Sequence, residues 1–261
     1  MGRSLGRGRS PGVERGRLGQ ENSSGGEHRS GGEHSPDMRQ GPGRVDSPRT
    51  SIPALPAAPP AAKAIFGERL AAAERYAQLL AGPAVERGLI GPHEVPRLWE
   101  RHLLNSAVVA GLVPHPCSVV DIGSGAGLPG VVLALLLPDC EVTLLEPMLR
   151  RVTFLEESRS VLGLDNVRVC RGRAEEFAGK LAADVVTARA VAPLGRLVSL
   201  ALGLLRPGGI ILAIKGSRAG QEVAAAAGTF RALGVRDVDV VLAGGGRVDP
   251  AATVVRLTTS Q

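Results

Sequence analysis

Gly123, Gly125 and Gly127 follow directly on the strand-like run Val119-Val120-Asp121-Ile122. Glycines so spaced let a chain leave a strand in a tight turn and bring its backbone close to a ligand, because no Cβ stands in the way. Pro129 then suits the first turn of a helix, where its missing amide costs nothing. The amino end of that helix offers a place for a carboxylate or phosphate. Asp121 lies two residues before the first glycine, where an acid would meet the cationic groups of a cofactor. Glu146 stands 23 positions after Gly123, where a carboxylate can accept both hydroxyls of a ribose. The set suits a nucleoside cofactor. Gly125-x-Gly127-x-x-Gly130 also satisfies the dinucleotide fingerprint, which keeps a nicotinamide enzyme in view. Three features favour S-adenosylmethionine: the acid ahead of the loop, a first strand that would otherwise have to run on through Gly123, and a closing hairpin of two β-rich runs far downstream, at 235–242 and 252–257.

Four basic residues are candidates for substrate contacts. Arg189 closes a β-branched run and could hydrogen-bond acceptors of a cofactor, a base or a phosphate, with an ordinary ion pair as the alternative. Arg101 and His102 precede the alternating part of the chain, and Lys215 ends a fifth strand-like run. Ligands bind at the carboxyl ends of parallel strands, so these three are expected to border an entrance where basic groups would meet substrate phosphate. For His102 a purely structural role is an equal alternative. Ala174 and Glu175 open the segment after a third strand-like run, where a loop would lie over an adenine; acids there also favour the first turn of a helix. Cys117, Cys140 and Cys170 are widely spaced and form no Cys-x-x-Cys, which argues against a disulfide framework and a structural zinc site, and no metal is expected.

These residues need a scaffold. Strands are expected at 118–122, 141–146, 166–170, 184–188 and 209–215, alternating with helices at 129–137, 149–162, 175–181, 193–205 and 221–233. Such alternation implies right-handed crossovers and a mainly parallel sheet covered on both faces. The runs 235–242 and 252–257 have no room for a crossover helix between them, so they should pair antiparallel as a hairpin. The expected fold is α/β, a Rossmann-like class I methyltransferase with a seven-stranded sheet and a terminal antiparallel hairpin. Helices at 61–80 and 94–110 would precede it. The methyltransferase domain is placed at 63–261, with a helical segment at 63–113 and the core at 114–261. Residues 1–62 hold 12 Gly, 8 Pro and 8 Ser and almost no large apolar side chains, the composition of a disordered tail. They also carry nine Arg against six acids, so much of the net charge of +6 lies there and is compatible with nucleic acid. Apolar stretches stay short of membrane-spanning length and the start lacks a signal-peptide core, so a soluble, cytoplasmic monomer is expected.

Several segments together resemble one family, the small-subunit ribosomal RNA guanine-N7 methyltransferases known as RsmG or GidB. They are Arg101-His102-Leu103-Leu104-Asn105-Ser106, the stretch from Asp121 through Leu128-Pro129-Gly130, and Arg150-Arg151-Val152-Thr153-Phe154-Leu155. Arg173-Ala174-Glu175-Glu176-Phe177, Thr187-Ala188-Arg189-Ala190 and Lys215-Gly216 complete the set. The resemblance covers about residues 64–258. It implies cofactor contacts at Gly123, Leu128, Ala174, Glu175 and Arg189. It also implies methyl transfer from S-adenosylmethionine to guanine N7 in the decoding-region (530) loop of 16S rRNA, on naked RNA or the small ribosomal subunit. Guanine N7 carries no proton, so no general base is expected, and alignment of the reacting atoms is the main demand. Asn105 stands where Asp is common in the family, and Glu146-Pro147-Met148 where Asp-Ser is frequent. A methyltransferase of another RNA or of a small molecule, and a non-catalytic RNA-binding homologue, are the alternatives.

Overall fold

The computed structural model describes residues 53–259. The expected tail therefore lies, up to residue 52, outside the described residues. Within its last ten residues, 53–62, part of the chain touches the core. Leu55 and Ala58 lie against the core, and the Trp99 indole donates to the Pro56 carbonyl at 3.1 Å. Composition misleads here because proline counts toward disorder, yet its fixed φ leaves little backbone entropy to lose on packing.

Seven strands form one sheet: β1 (Ser118–Ile122), β2 (Glu141–Glu146), β3 (Val167–Arg171), β4 (Ala183–Arg189), β5 (Leu205–Lys215), β6 (Val235–Ala243) and β7 (Ala252–Thr259). Their order is β3-β2-β1-β4-β5-β7-β6. The first five run parallel, and β7 enters antiparallel between β5 and β6. The period of two along each strand sorts side chains between two apolar layers. Val119, Val142, Leu144, Val185 and Leu212 face α2 (Leu70–Ala81), α5 (Gly130–Leu136) and α6 (Leu149–Leu162). Val120, Leu145, Val186 and Ile211 face α7 (Leu194–Leu202) and α8 (Ala219–Ala232).

The amino-terminal helices depart from expectation. The helix expected over 61–80 is broken by Gly67, at φ 51°, into α1 (Pro60–Phe66), a 3-10 turn and α2. The helix expected over 94–110 is a 3-10 stretch (Pro92–Arg97), a π turn (Leu98–Leu104), the single α turn Asn105–Ala107 and a second 3-10 stretch (Val108–Leu112). Pro96 removes an amide donor, and the change in winding turns Leu98, Trp99, Leu103 and Leu104 all toward the core. The helix expected at 175–181 is one 3-10 turn, Ala174–Phe177, with Gly179 at φ 71° soon after it. Among the described residues, no helix is long and apolar enough to cross a membrane.

Candidate cofactor and substrate cavity

Strand order reverses at β1, whose neighbours β2 and β4 lead off to opposite sides, and a crevice at the carboxyl ends follows from that reversal. A cavity of about 800 Å³ opens there. Gly123, Gly125, Leu128, Glu146, Ala174, Glu175, Arg189 and His102 all line it. Asp121 and Gly127 brace its wall from behind. Arg101 stays outside at the rim, and Lys215 lines a separate pocket that shares residues 190–193 with the first.

The glycine loop is held by two buried carboxylates. Asp121, fully buried, accepts the Gly130 amide at 3.1 Å, and Ser124 Oγ donates to the Asp121 carbonyl at 2.9 Å. Glu146, 1% exposed, accepts the Gly125 and Met148 amides, each at 3.0 Å, while Arg151 Nη1 lies 3.5 Å away. A third tie comes from α2, where the buried Tyr76 hydroxyl donates to the Ala126 carbonyl at 2.6 Å. Gly127 shows why the loop needs glycine: its φ is 95°, and a Cβ there would meet Tyr76 Oη at 2.6 Å.

Arg189, His102 and Glu94 form another part of the lining. Arg189 ends β4 and has no hydrogen bond or ion pair among the described residues, so the simple ion pair considered for it does not form. Burial lowers its pKa, while Tyr76 and Asp121 oppose that shift. His102 Nε2 lies 2.7 Å from Glu94 Oε2, and its buried Nδ1 has no partner. Burial, then the nearby Arg189 charge, lowers the His102 pKa, which keeps the ring neutral at neutral pH. Glu94 also takes Arg97 at 2.8 Å and Arg101 at 3.4 Å. Burial pushes its carboxyl up, but the His102 hydrogen bond and these cations bring it below its ordinary value.

Asp121 is the most perturbed acid of the site. Burial first, and Glu146 in addition, raise it to about 7 against the opposing pull of Ser124, the Gly130 amide and Arg189. Its Oδ1 atom is buried and has no partner among the described residues. A buried orphan carboxyl oxygen, a free guanidinium and a cradle of glycines fit a nucleoside ligand whose tail carries both charges.

Lys215 departs most from expectation. Its side chain is 8% exposed, and its ammonium is engaged with Ala192 and Glu222, so it is not turned toward phosphate. The arginines that do line the cavity are Arg151, Arg173 and Arg196 beside Arg189. Glu94 and the Tyr76 hydrogen bond also escaped the reading of the sequence. On an α-helix, residues eight apart would lie about 80° apart around the axis, so the Glu94–His102 pair gives no periodic signal.

The family model described as GidB, rRNA small subunit methyltransferase G, matches residues 69–248. Ribosomal RNA small subunit methyltransferase G of Thermobifida fusca is 60% identical over 200 residues, covering 77% of this chain and 84% of its own length. The protein of the same name from Streptomyces avermitilis is 54% identical over 213 residues, covering 81% and 90%. Among solved structures, a SAM-dependent O-methyltransferase from Thermotoga maritima has a TM-score of 0.50 at 16% identity, over 60% of this chain and 65% of that one. That last likeness is one of fold alone.

Proposed function

This chain belongs to the rRNA small subunit methyltransferase G family, and from that premise we propose that it methylates N7 of a guanine in the decoding-region loop of 16S rRNA. The observation that carries the reading is the cavity at the sheet's reversal point, where a braced glycine loop faces the unpaired Arg189 inside the span of the family match. S-adenosylmethionine is the cofactor, and when bound it supplies a methyl group activated by its sulfonium. Gly123, Leu128 and Arg189 would hold the methionine end, Glu146 the ribose, and Ala174 with Glu175 the adenine.

The chain's own residues then orient and do not abstract. Guanine N7 offers a lone pair, so no residue has to remove a proton before attack. His102, neutral and bonded to Glu94 through Nε2, orients that carboxylate on the cavity wall. Alkylation leaves the guanine ring positive, and the ionised Glu94 on the cavity wall offsets that charge. Arg151, Arg173 and Arg196 serve the rim as phosphate contacts together with Arg101. The substrate is 16S rRNA, free or within the small subunit, and the protein acts as a cytoplasmic monomer.

The test is mass mapping of 16S rRNA from cells with and without this protein, with tritium transfer from labelled cofactor to undermethylated small subunits. Loss of one N7-methylguanine and its restoration in vitro is the expected result. An unchanged guanine-N7 content would overturn the specific reading, and cofactor binding without transfer would favour a non-catalytic RNA-binding homologue.

A further inference from the structure

Residues 190–193 connect β4 to α7 and form the wall shared by the main cavity and its neighbour. Ala190 sits at φ 56°, the left-handed region that a residue with a Cβ occupies only when its surroundings hold it there. Val191, next in line, packs on the glycine loop so closely that a Cβ at Gly123 would lie 2.9 Å from its Cγ2. Ala192 is tied to β5 and α8 through one group. The Lys215 ammonium, at the end of β5, donates to the Ala192 carbonyl at 2.9 Å and to Glu222 Oε2, in the first turn of α8, at 2.8 Å. A buried ammonium is costly unless its donors are met, and these two acceptors meet two of its three.

We infer that Lys215 and Glu222 are positioning residues for cofactor binding: they pin Ala192, keep Ala190 left-handed, and thereby aim Arg189 into the cavity and Val191 against Gly123. This role takes the place of the phosphate contact expected for Lys215. It rests on the proposed cofactor contacts of Gly123 and Arg189.

Calorimetric titration of S-adenosylmethionine into the full chain tests it, with RNA affinity measured against salt in parallel. Lys215→Met should weaken cofactor binding about tenfold, and Glu222→Gln by less, from the loss of a charge-assisted hydrogen bond. Lys215→Arg, which keeps charge and donors, should retain most of the affinity. Adding Ala190→Gly to Lys215→Met should restore part of it, since glycine holds a positive φ without the pinning contact; a general loss of packing would not be rescued this way. Ala190→Val, with Lys215 intact, should mimic the loss and covers the case in which Lys215→Met does not fold. Unchanged cofactor affinity in Glu222→Gln and Ala190→Val overturns the inference. So does a Lys215→Met protein with normal cofactor affinity and a salt slope smaller by about one, the signature of a lost phosphate contact. Arg189→Ala with undiminished cofactor affinity would instead break the reading of the site on which the inference rests.

Discussion

The chain leaves the neighbouring strands β1 and β4 at the same cavity and secures the two exits by opposite means. After β1, buried carboxylates accept backbone amides: Asp121 takes Gly130 and Glu146 takes Gly125, with Tyr76 pinning Ala126 from outside. After β4, a buried ammonium donates to a backbone carbonyl, at Ala192 alone. The first exit is negative and held at three points. The second is positive, held by Lys215, and carries Arg189, which is unpaired among the described residues. The two exits thus bring opposite charges, Glu146 and Arg189, to the lining of one cavity.

Removing the space under the first exit should have the largest effect. Gly127→Ala forces a Cβ against Tyr76 and Val131 at a φ of 95°, and is expected to cost about 3 kcal/mol or more, read as a fall in thermal unfolding temperature. Asp121→Asn separates stability from binding. The wild-type carboxyl is raised to about 7, so its stability contribution is fully present below about pH 4 and is lost as pH rises through about 7. The variant should lack that decline, gaining roughly 4 kcal/mol over wild type above pH 7 in denaturant titrations, while its cofactor affinity falls. At the second exit, Arg189→Ala breaks no existing pair. Its unfolding midpoint should hold, and its cofactor affinity should drop about thirtyfold, equivalent to about 2 kcal/mol. Tyr76→Phe leaves the Ala126 carbonyl without its donor and should cost about 1 kcal/mol. If Tyr76→Phe proves more damaging to cofactor binding than Arg189→Ala, the contrast between a structural first exit and a ligand-facing second one fails.

The same contrast marks what the sequence could reveal. The first exit is written within ten residues, from Asp121 to Gly130, and the carboxylate at Glu146 follows at the end of the next strand, so local spacing was enough. The parallel strands and the closing hairpin were equally legible, because strand-like runs and the lack of a crossover between 242 and 252 are properties of contiguous segments. The second exit is assembled from β4, β5 and α8, and no spacing announces that Lys215 reaches Ala192, 23 positions away, more readily than it reaches phosphate. Tyr76 and Ala126 lie 50 positions apart and meet only because α2 packs beside the loop. His102 was found from its type and place in the chain. Its partner Glu94 was hidden by a run of 3-10 and π turns that no single helical period describes.

The buried carboxyl of Asp121, raised to about 7, holds a proton for part of the time at neutral pH. A cation bound in the cavity in front of it would favour the ionised form, so cofactor binding is expected to release part of that proton. Heat measured in buffers of different ionisation enthalpy should show fractional proton release near pH 7, absent in Asp121→Asn. On that expectation cofactor affinity rises with pH through about 7, because the proton and the cofactor's cation favour opposite charge states of one carboxyl.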